Sequence, residues 1–449
     1  MRKLTIKNIG AIKHVDLELN RVNVFIGPQS SGKSTISKIL CYCMWVEKHC
    51  YLNNGERARF SNNNLFYNTL IEYHRLDGYF NKTASIRYVG ELLTISYTHS
   101  SKTIKITNSK QAVYSYPKIA YIPSERNLVA TIPNIDKYNE SNDVIAYFGY
   151  DWTDARSIIS EQSLSEIFER DITYKYMNGD DYILDGDAKI KLRYASSGVL
   201  SAVPLYVMSK YLYGEIYKKD RNISPAQRKI ILELSDNISK LRNELAHGVE
   251  FDYNKIVLVA EMIAFIANNT TSKYAKEIRL LKDITRLAAQ AQKGEKLKEL
   301  TFNAAQNIEK IEHIFDYKYT QLFIEEPEQN LFPKAQMKFV NELFLMMHNE
   351  VREHSAVITT HSPYILFAIN NCIMRNIVKK NISSELRPQF LHNKAQINPK
   401  DILIYQINNG ELKRIQDEDG NLDENFINDA YKENSNEYFS LLNFYEDEE

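Results

Sequence analysis

The residues best suited to chemistry are Gly27-Pro28-Gln29-Ser30-Ser31-Gly32-Lys33-Ser34. In the spacing G-x-x-x-x-G-K-S, glycines let backbone N–H groups turn inward around an anion, and a following helix start adds partial positive charge. Lys33 can reach the β and γ phosphates of a nucleotide, and Ser34 can offer its hydroxyl to Mg²⁺. Gly27, Ser30, Ser31, Gly32 and Thr35 complete the expected phosphate-binding set. A tight glycine turn with a chance lysine is the competing reading, and the flanking elements separate the two.

Three more groups carry chemistry. Glu325 and Glu326 follow the apolar run Leu322-Phe323-Ile324 and precede Pro327. Nucleotide hydrolysis needs one acid at a strand end to hold Mg²⁺ through its water shell, and another to orient or deprotonate the attacking water. This pair can supply both, Glu325 toward the metal and Glu326 toward the water. His361 follows Thr359-Thr360 and can reach the edge of a γ-phosphate. A lone His is more often structural, but its place after a second buried strand, downstream of the acids, favours the site. Ser196, Ser197 and Gly198 open an apolar helical run. Two hydroxyls and a glycine there form a second anion site, although a plain N-cap reads the same locally.

The elements that position these groups are legible around them. Val22-Asn23-Val24-Phe25-Ile26 reads as a strand entering the loop, and the helix after it is expected to run to about Lys48. Upstream, residues 4–9 and 15–19 read as strands. Residues 53–64 are polar and read as a surface loop, and 85–108 as an antiparallel sheet. A strand at 118–122 ends in Pro123-Ser124-Glu125-Arg126-Asn127. Residues 140–170 look helical, and Gly/Asp turns near 178–181 and 185–187 then punctuate short strands. Residues 199–315 read as helical almost throughout, 321–324 and 356–360 as buried strands, and 402–407 as a strand that turns back at Asn408-Asn409-Gly410. After Gln416, twelve Asp/Glu face one lysine, Lys432.

A chain of 449 residues is expected to form two or three domains. Its 44% apolar and 25% charged residues are ordinary for a soluble globular protein. A net charge of −1 excludes a global field toward nucleic acid or an anionic membrane, so any such contact needs a local patch. Cys41, Cys43, Cys50 and Cys372 form no C-x-x-C and no zinc spacing, which fits a reducing cytosol. The start alternates like a strand and lacks a signal-peptide core. No run reaches the roughly 18 apolar residues of a membrane span. The expectation is a cytoplasmic protein.

These motifs in this order resemble the ABC-type ATPase head shared by SMC-like chromosome proteins, DNA-repair ATPases and the overcoming-lysogenization-defect (OLD) ATPases. The resemblance covers roughly residues 1–204 and 319–415. It identifies 27–34 as Walker A, Ser196-Ser197-Gly198 as the signature motif and 322–326 as Walker B. It likewise identifies Glu328-Gln329-Asn330-Leu331-Phe332-Pro333 as the dimer-facing D-loop region and His361 as the switch histidine. Glu325-Glu326-Pro327-Glu328 with Thr360-His361-Ser362-Pro363 is most similar to the compact ATPases of bacterial anti-phage systems such as PARIS and Septu.

The resemblance implies an α/β fold, an ABC-type P-loop head whose mixed sheet has an antiparallel lobe. The head is expected to be discontinuous, 1–204 plus 319–449, around an all-helical insert at 205–318. ATP and Mg²⁺ are the implied cofactors. Assembly as an ATP-sandwiched homodimer or higher oligomer is implied, with Ser197 and Gly198 acting in trans beside Ser196. Two positions depart from the family pattern. Leu200 stands where the signature usually has Gln, and the Pro-Ser-Glu-Arg turn has no Gln where a Q-loop is expected.

Inside the insert, Lys240-Leu241-Arg242-Asn243-Glu244-Leu245-Ala246-His247-Gly248 resembles the R-x4-H motif of HEPN ribonuclease domains. That likeness implies phosphate binding by Arg242 and metal-free RNA cleavage by His247. Read locally, Arg242 and Glu244 are solvated, and His247 lies near a helix C-terminus that favours a cation. The basic face at 276–298 could touch nucleic acid or simply be a solvated helix face. The resemblance thus implies an ATP-driven switch, the sensor ATPase of an anti-phage system. The alternatives are an ATP-gated ribonuclease and a DNA-binding repair ATPase, the latter weakened by the absence of sustained heptads. Only 88 residues follow His361, without a Glu-bearing strand before an Asp-x-Asp. A fused toprim nuclease is therefore not expected, and a separate effector protein is implied.

Overall fold

A computed structural model describes residues 2–52, 56–61, 64–109, 114–132, 143–218, 317–349, 351–390, 395–442 and 444. Alternating apolar residues make β1 (Arg2–Ile9) and β2 (Ile12–Leu19) one-face-buried strands paired antiparallel. By contrast, β3 (Val22–Ile26) is buried at every position, the pattern of a strand covered on both faces. It leads through the loop into α1 (Lys33–Leu52). The polar stretch expected as a surface loop contains α2 (Glu56–Ser61), which is anchored by buried Phe60. One covered face leaves the rest of that helix polar, which is why the segment reads as a loop. The short α3 (Leu65–His74) follows, then the antiparallel meander β4 (Phe80–Val89), β5 (Leu93–Thr98) and β6 (Thr103–Asn108).

Next come β7 (Pro117–Ile122), α4 (Leu128–Thr131) and α5 (Val144–Ile158), whose N-cap Asp143 accepts from the Ile145 and Ala146 amides. The helix expected across 140–170 stops at Ile158. Residues Glu161–Ser163 form β8 instead, because pairing with β9 (Ile172–Met177) overrides local helical preference. With β10 (Asp180–Asp185) and β11 (Ala188–Lys191) they make a separate four-stranded antiparallel sheet. A 3₁₀ turn then delivers the chain to α6 (Ser197–Tyr213).

After the central segment come β12 (Tyr319–Glu325), α7 (Pro333–Met347), β13 (Ser355–Thr360), α8 (Pro363–Val378) and α9 (Arg387–Phe390). Then β14 (Ile402–Asn408), β15 (Glu411–Arg414) and α10 (Phe426–Leu442) close the fold.

Eleven strands form one sheet in the order β6-β5-β4-β1-β2-β15-β14-β3-β13-β12-β7. The strands β14-β3-β13-β12-β7 are mutually parallel, and β6-β5-β4-β1-β2 is an antiparallel lobe. This is the expected mixed α/β architecture. Each central strand divides its side chains between two cores, with Val24, Leu322 and Ile358 on one face and Phe25, Phe323 and Val357 on the other. The second core is roofed by α1, and the first by α6, α7 and α8. The proposed head boundary at 204/205 falls inside α6. Leu205, Val207, Met208 and Leu212 pack in the same core as the central strands. The four cysteines are buried and form no disulfide. Among the described residues, no helix is long and apolar enough to cross a membrane.

The phosphate-loop helix is tied to the antiparallel lobe by one carboxylate. Glu47 of α1 is 1% exposed and accepts from the Leu92 amide (2.7 Å), the Leu93 amide (2.9 Å) and the Tyr88 hydroxyl (2.9 Å). Glu47→Ala leaves three donors unmatched, two of them buried, and is expected to destabilise the fold by about 3 kcal/mol. Denaturant unfolding followed by Trp45 and Trp152 fluorescence measures it. A loss below about 1 kcal/mol would mean that water replaces the carboxylate.

Candidate functional site

Strand register brings the motif residues to one edge of the sheet. Ile26 pairs with Thr360, Thr359 with Glu325, and Ile324 with Ile122. The phosphate loop, the acid pair, His361 and the turn after β7 therefore all leave the carboxyl ends of adjacent parallel strands, where α/β sheets place ligands.

Within the loop, Pro28, Gln29 and Ser30 are exposed, whereas Gly27 and Lys33 are buried. A Cβ at Gly27 would lie 2.5 Å from the Ile407 carbonyl oxygen and 2.9 Å from Ser31 Oγ, so only glycine permits this close approach. Gly32 has φ +104°, and a Cβ there would strike Ile12 Cγ1 at 2.8 Å. Helix α1 begins at Lys33, so its first N–H groups lack intrahelical partners and point toward the loop's concavity. Lys33 Nζ donates to the Gly27 and Pro28 carbonyls at 2.8 and 2.7 Å. Burial lowers its pKa, and Glu326 and Glu328 pull it back up.

The acids split as their environments differ. Glu325 is 2% exposed, with Oε1 accepting from the Tyr121 hydroxyl at 2.6 Å and Oε2 from the Ser124 amide at 3.3 Å. Burial first, then the Glu325 charge, pushes the Tyr121 phenol well up, which keeps it a donor. Glu326 is half-buried and sits at φ +43°, in the left-handed region that non-glycine residues rarely enter. Its amide donates to the Thr359 carbonyl at 2.9 Å, and so the carboxylate turns off the sheet edge. His361 Nδ1 lies 3.9 Å from Glu326 Oε1 and 3.2 Å from Glu328 Oε1, the latter without hydrogen-bond geometry. The His361 amide donates to that same Glu328 oxygen at 2.8 Å.

Sequence reading missed four supports. Glu328, expected on the dimer-facing segment, is buried and positions His361. Tyr121 and Ser124 hold Glu325, and Arg126 is wholly buried behind both acids. Their only signal was a strand ending next to a polar turn, and the β7–β12 pairing gives that signal its meaning.

Ser196 and Ser197 are exposed, and Ser196 makes no side-chain cap bond to α6. Gly198 lies against the 328–332 turn, where a Cβ would meet the Asn330 carbonyl oxygen at 3.1 Å. Asn330 Nδ2 also donates to Ser201 Oγ at 3.1 Å. Gly198 and the first turn of α6 thus pack against the acid strand's exit loop. Among the described residues, no hydrogen bond links Ser196 or Ser197 to their own phosphate loop. Arg242, His247 and the 276–298 face lie outside the described residues.

The donor set fits a Mg²⁺–polyphosphate. Ser31 Oγ, Thr359 Oγ1 and Gln329 Oε1 are buried without a hydrogen-bond partner among the described residues, as expected where a ligand or its waters complete the bonding. Among the described residues, no three His, Cys, Asp or Glu side chains converge as a metal cage. Mg²⁺ needs none, since one or two protein ligands plus phosphates and water suffice. Ser34 and Glu325 are the residues that would contribute, with Lys33 on the phosphates.

Among solved structures, the chain aligns with the SMC head bound to the C-winged helix domain of ScpA at 8% identity, covering 92% of this chain and 96% of that one, with a TM-score of 0.34. It aligns with the SMC head domain from Thermotoga maritima at 11% identity, covering 93% and 98%, with a TM-score of 0.31. The recombination mediator protein RecF of the RecFOR pathway aligns at 10% identity over 92% and 97%, with a TM-score of 0.30. No curated protein matches the chain. The family described as AAA ATPase domain matches residues 1–366, a span that holds the phosphate loop, the signature residues, the acid pair and His361, and the chain belongs to that family.

Proposed function

We propose that this protein is an ATP-hydrolysing molecular switch that works as a nucleotide-sandwiched dimer. The observation that carries this reading is the division of the site. Lys33, Glu325, Glu326 and His361 converge at adjacent strand ends, whereas Ser196 and Ser197 are exposed. Such a site is open on the γ-phosphate side, and a second copy's Ser197 and Gly198 supply the missing donors. Tyr194 and Phe332, 74% and 72% exposed, flank the Gly198–Asn330 contact in sequence and offer aromatic surface for that association.

The chain's own residues divide the work. Loop amides and Lys33 bind the phosphates, and Ser34 and Glu325 would hold Mg²⁺, which would supply charge neutralisation. Glu326 accepts a proton from the attacking water. Glu328 fixes the backbone of His361, so the imidazole stays beside Glu326 at the γ-phosphate edge. ATP binding closes the dimer, and hydrolysis opens it. The wording of 325–328 and 360–363 supports a place as the sensor ATPase of an anti-phage system that controls a separate effector. A nuclease or toxin gene beside this one would agree with that place.

Sharing in trans has a direct test. Lys33→Ala and Ser197→Arg chains, each inactive alone, are mixed and their exchange is verified by native mass spectrometry. A mixed dimer keeps one intact composite site, so turnover should recover to about a quarter of wild type at random assortment. No recovery despite proven mixing would overturn the sandwich.

A further inference from the structure

Arg126 lies in the Pro-Ser-Glu-Arg turn, and its side chain bonds both the acid pair and the helix that Ser196-Ser197-Gly198 opens. It is 0% exposed, in the turn after β7. Its Nη1 donates to the Glu325 carbonyl at 3.0 Å, its Nη2 to the Glu326 carbonyl at 2.9 Å, and its Nε to the Ser201 carbonyl at 3.3 Å. All three acceptors are main-chain oxygens. Burial lowers its pKa to about 10, and the Glu328, Glu326 and Glu325 charges offset part of that.

A buried cation without a directly bonded carboxylate is a costly way to fill space. What the guanidinium supplies is a rigid planar fork that fixes several acceptors relative to one another. Two of those acceptors flank the strained residue. The left-handed conformation of Glu326 persists only if neighbours over-determine it. The Glu326 amide is held by the Thr359 carbonyl, and the Glu326 carbonyl by Arg126 and the Gln329 amide. The third acceptor lies in α6, four residues past Ser197.

We propose that Arg126 is a positioning residue that aims the Glu326 carboxylate by clamping its main chain and ties that aim to the signature helix. This rests on the reading of Glu326 as the residue that acts on the attacking water. A shift of the first turns of α6, as the signature residues engage a second copy, moves the Ser201 carbonyl and so reaches Glu326 through one side chain.

The test is a double-mutant cycle. Arg126→Lys keeps the charge but loses the fork. It should lower single-turnover kcat on the order of 10–100-fold, the scale of a misplaced catalytic group. KM and ATP affinity should stay within about threefold, since the phosphate loop is untouched. In a Glu326→Gln background the same change should slow the reaction little further, because its target is gone. Hydrogen exchange at the Glu326 and Gln329 amides should quicken in Arg126→Lys, a readout independent of activity. If the lysine variant does not fold, Arg126→Gln, uncharged and cheaper to bury, replaces it. Wild-type kcat, a proportional loss of ATP affinity, or a full additional factor on top of Glu326→Gln each overturns the inference. A wild type that binds but never hydrolyses ATP defeats the reading of Glu326 instead, and the exchange result still decides whether the clamp exists.

Discussion

Lys33→Ala should bind ATP at least about a hundredfold more weakly than wild type, with the fold intact. One charge-assisted hydrogen bond to phosphate, worth about 1.5–3 kcal/mol, is lost together with the ammonium charge opposite the polyanion. The side chain is held ready for that bond. Lys33 is 5% exposed and its ammonium is already bonded to two loop carbonyls, which leaves one of its three N–H donors for an incoming oxygen. Burial without a bonded carboxylate weakens its hold on the proton, and a polyphosphate restores that hold. Alanine removes charge and donors while the glycine geometry at Gly27 and Gly32 stays, so the effect reads the lysine rather than the loop. Equilibrium titration with labelled ATP measures the change, and the unfolding midpoint reports the fold. Unchanged affinity in a folded variant would remove the phosphate-loop assignment altogether.

The parts of the site legible in the sequence are those whose local pattern and chemical role coincide. Val22–Ile26, Tyr319–Glu325 and Ser355–Thr360 are buried on both faces, so each reads as an unbroken or nearly unbroken apolar run that stops where a polar group begins. Those stops are Gly27, Glu325-Glu326 and His361, and register then aligns them. The supports were illegible for the opposite reason. Arg126 and Glu325 are 199 positions apart, and Tyr121 and Glu325 are 204 apart. Only the β7–β12 pairing makes them neighbours. Glu328 reads as one more surface acid until the backbone turn at Glu326 swings it under His361. The same distance effect hid β8, a three-residue strand with no apolar alternation that exists because β9 is beside it.

Glu326→Gln should bind ATP normally and hydrolyse it on the order of 10²–10⁴ times more slowly, the usual scale for losing a catalytic acid or base. The substitution is close to isosteric, and all three main-chain restraints on residue 326 remain: its amide to the Thr359 carbonyl, and its carbonyl to Arg126 and the Gln329 amide. What disappears is the ability to take a proton. Glutamine also removes a negative charge that acts on Lys33, so affinity for a polyanion should hold or rise. With ATP bound and not consumed, the closed assembly should accumulate, visible as an ATP-dependent mass increase by light scattering. At the same ATP concentration Lys33→Ala should not show that increase, because it binds too weakly, and the two variants therefore bracket the cycle at its entry and its exit. Near-normal turnover by Glu326→Gln would move the proton-accepting role to a neighbour. Glu328 is an implausible heir, since its carboxylate is buried under the His361 amide. Glu325 would then have to leave Tyr121 and Ser124 to reach the water.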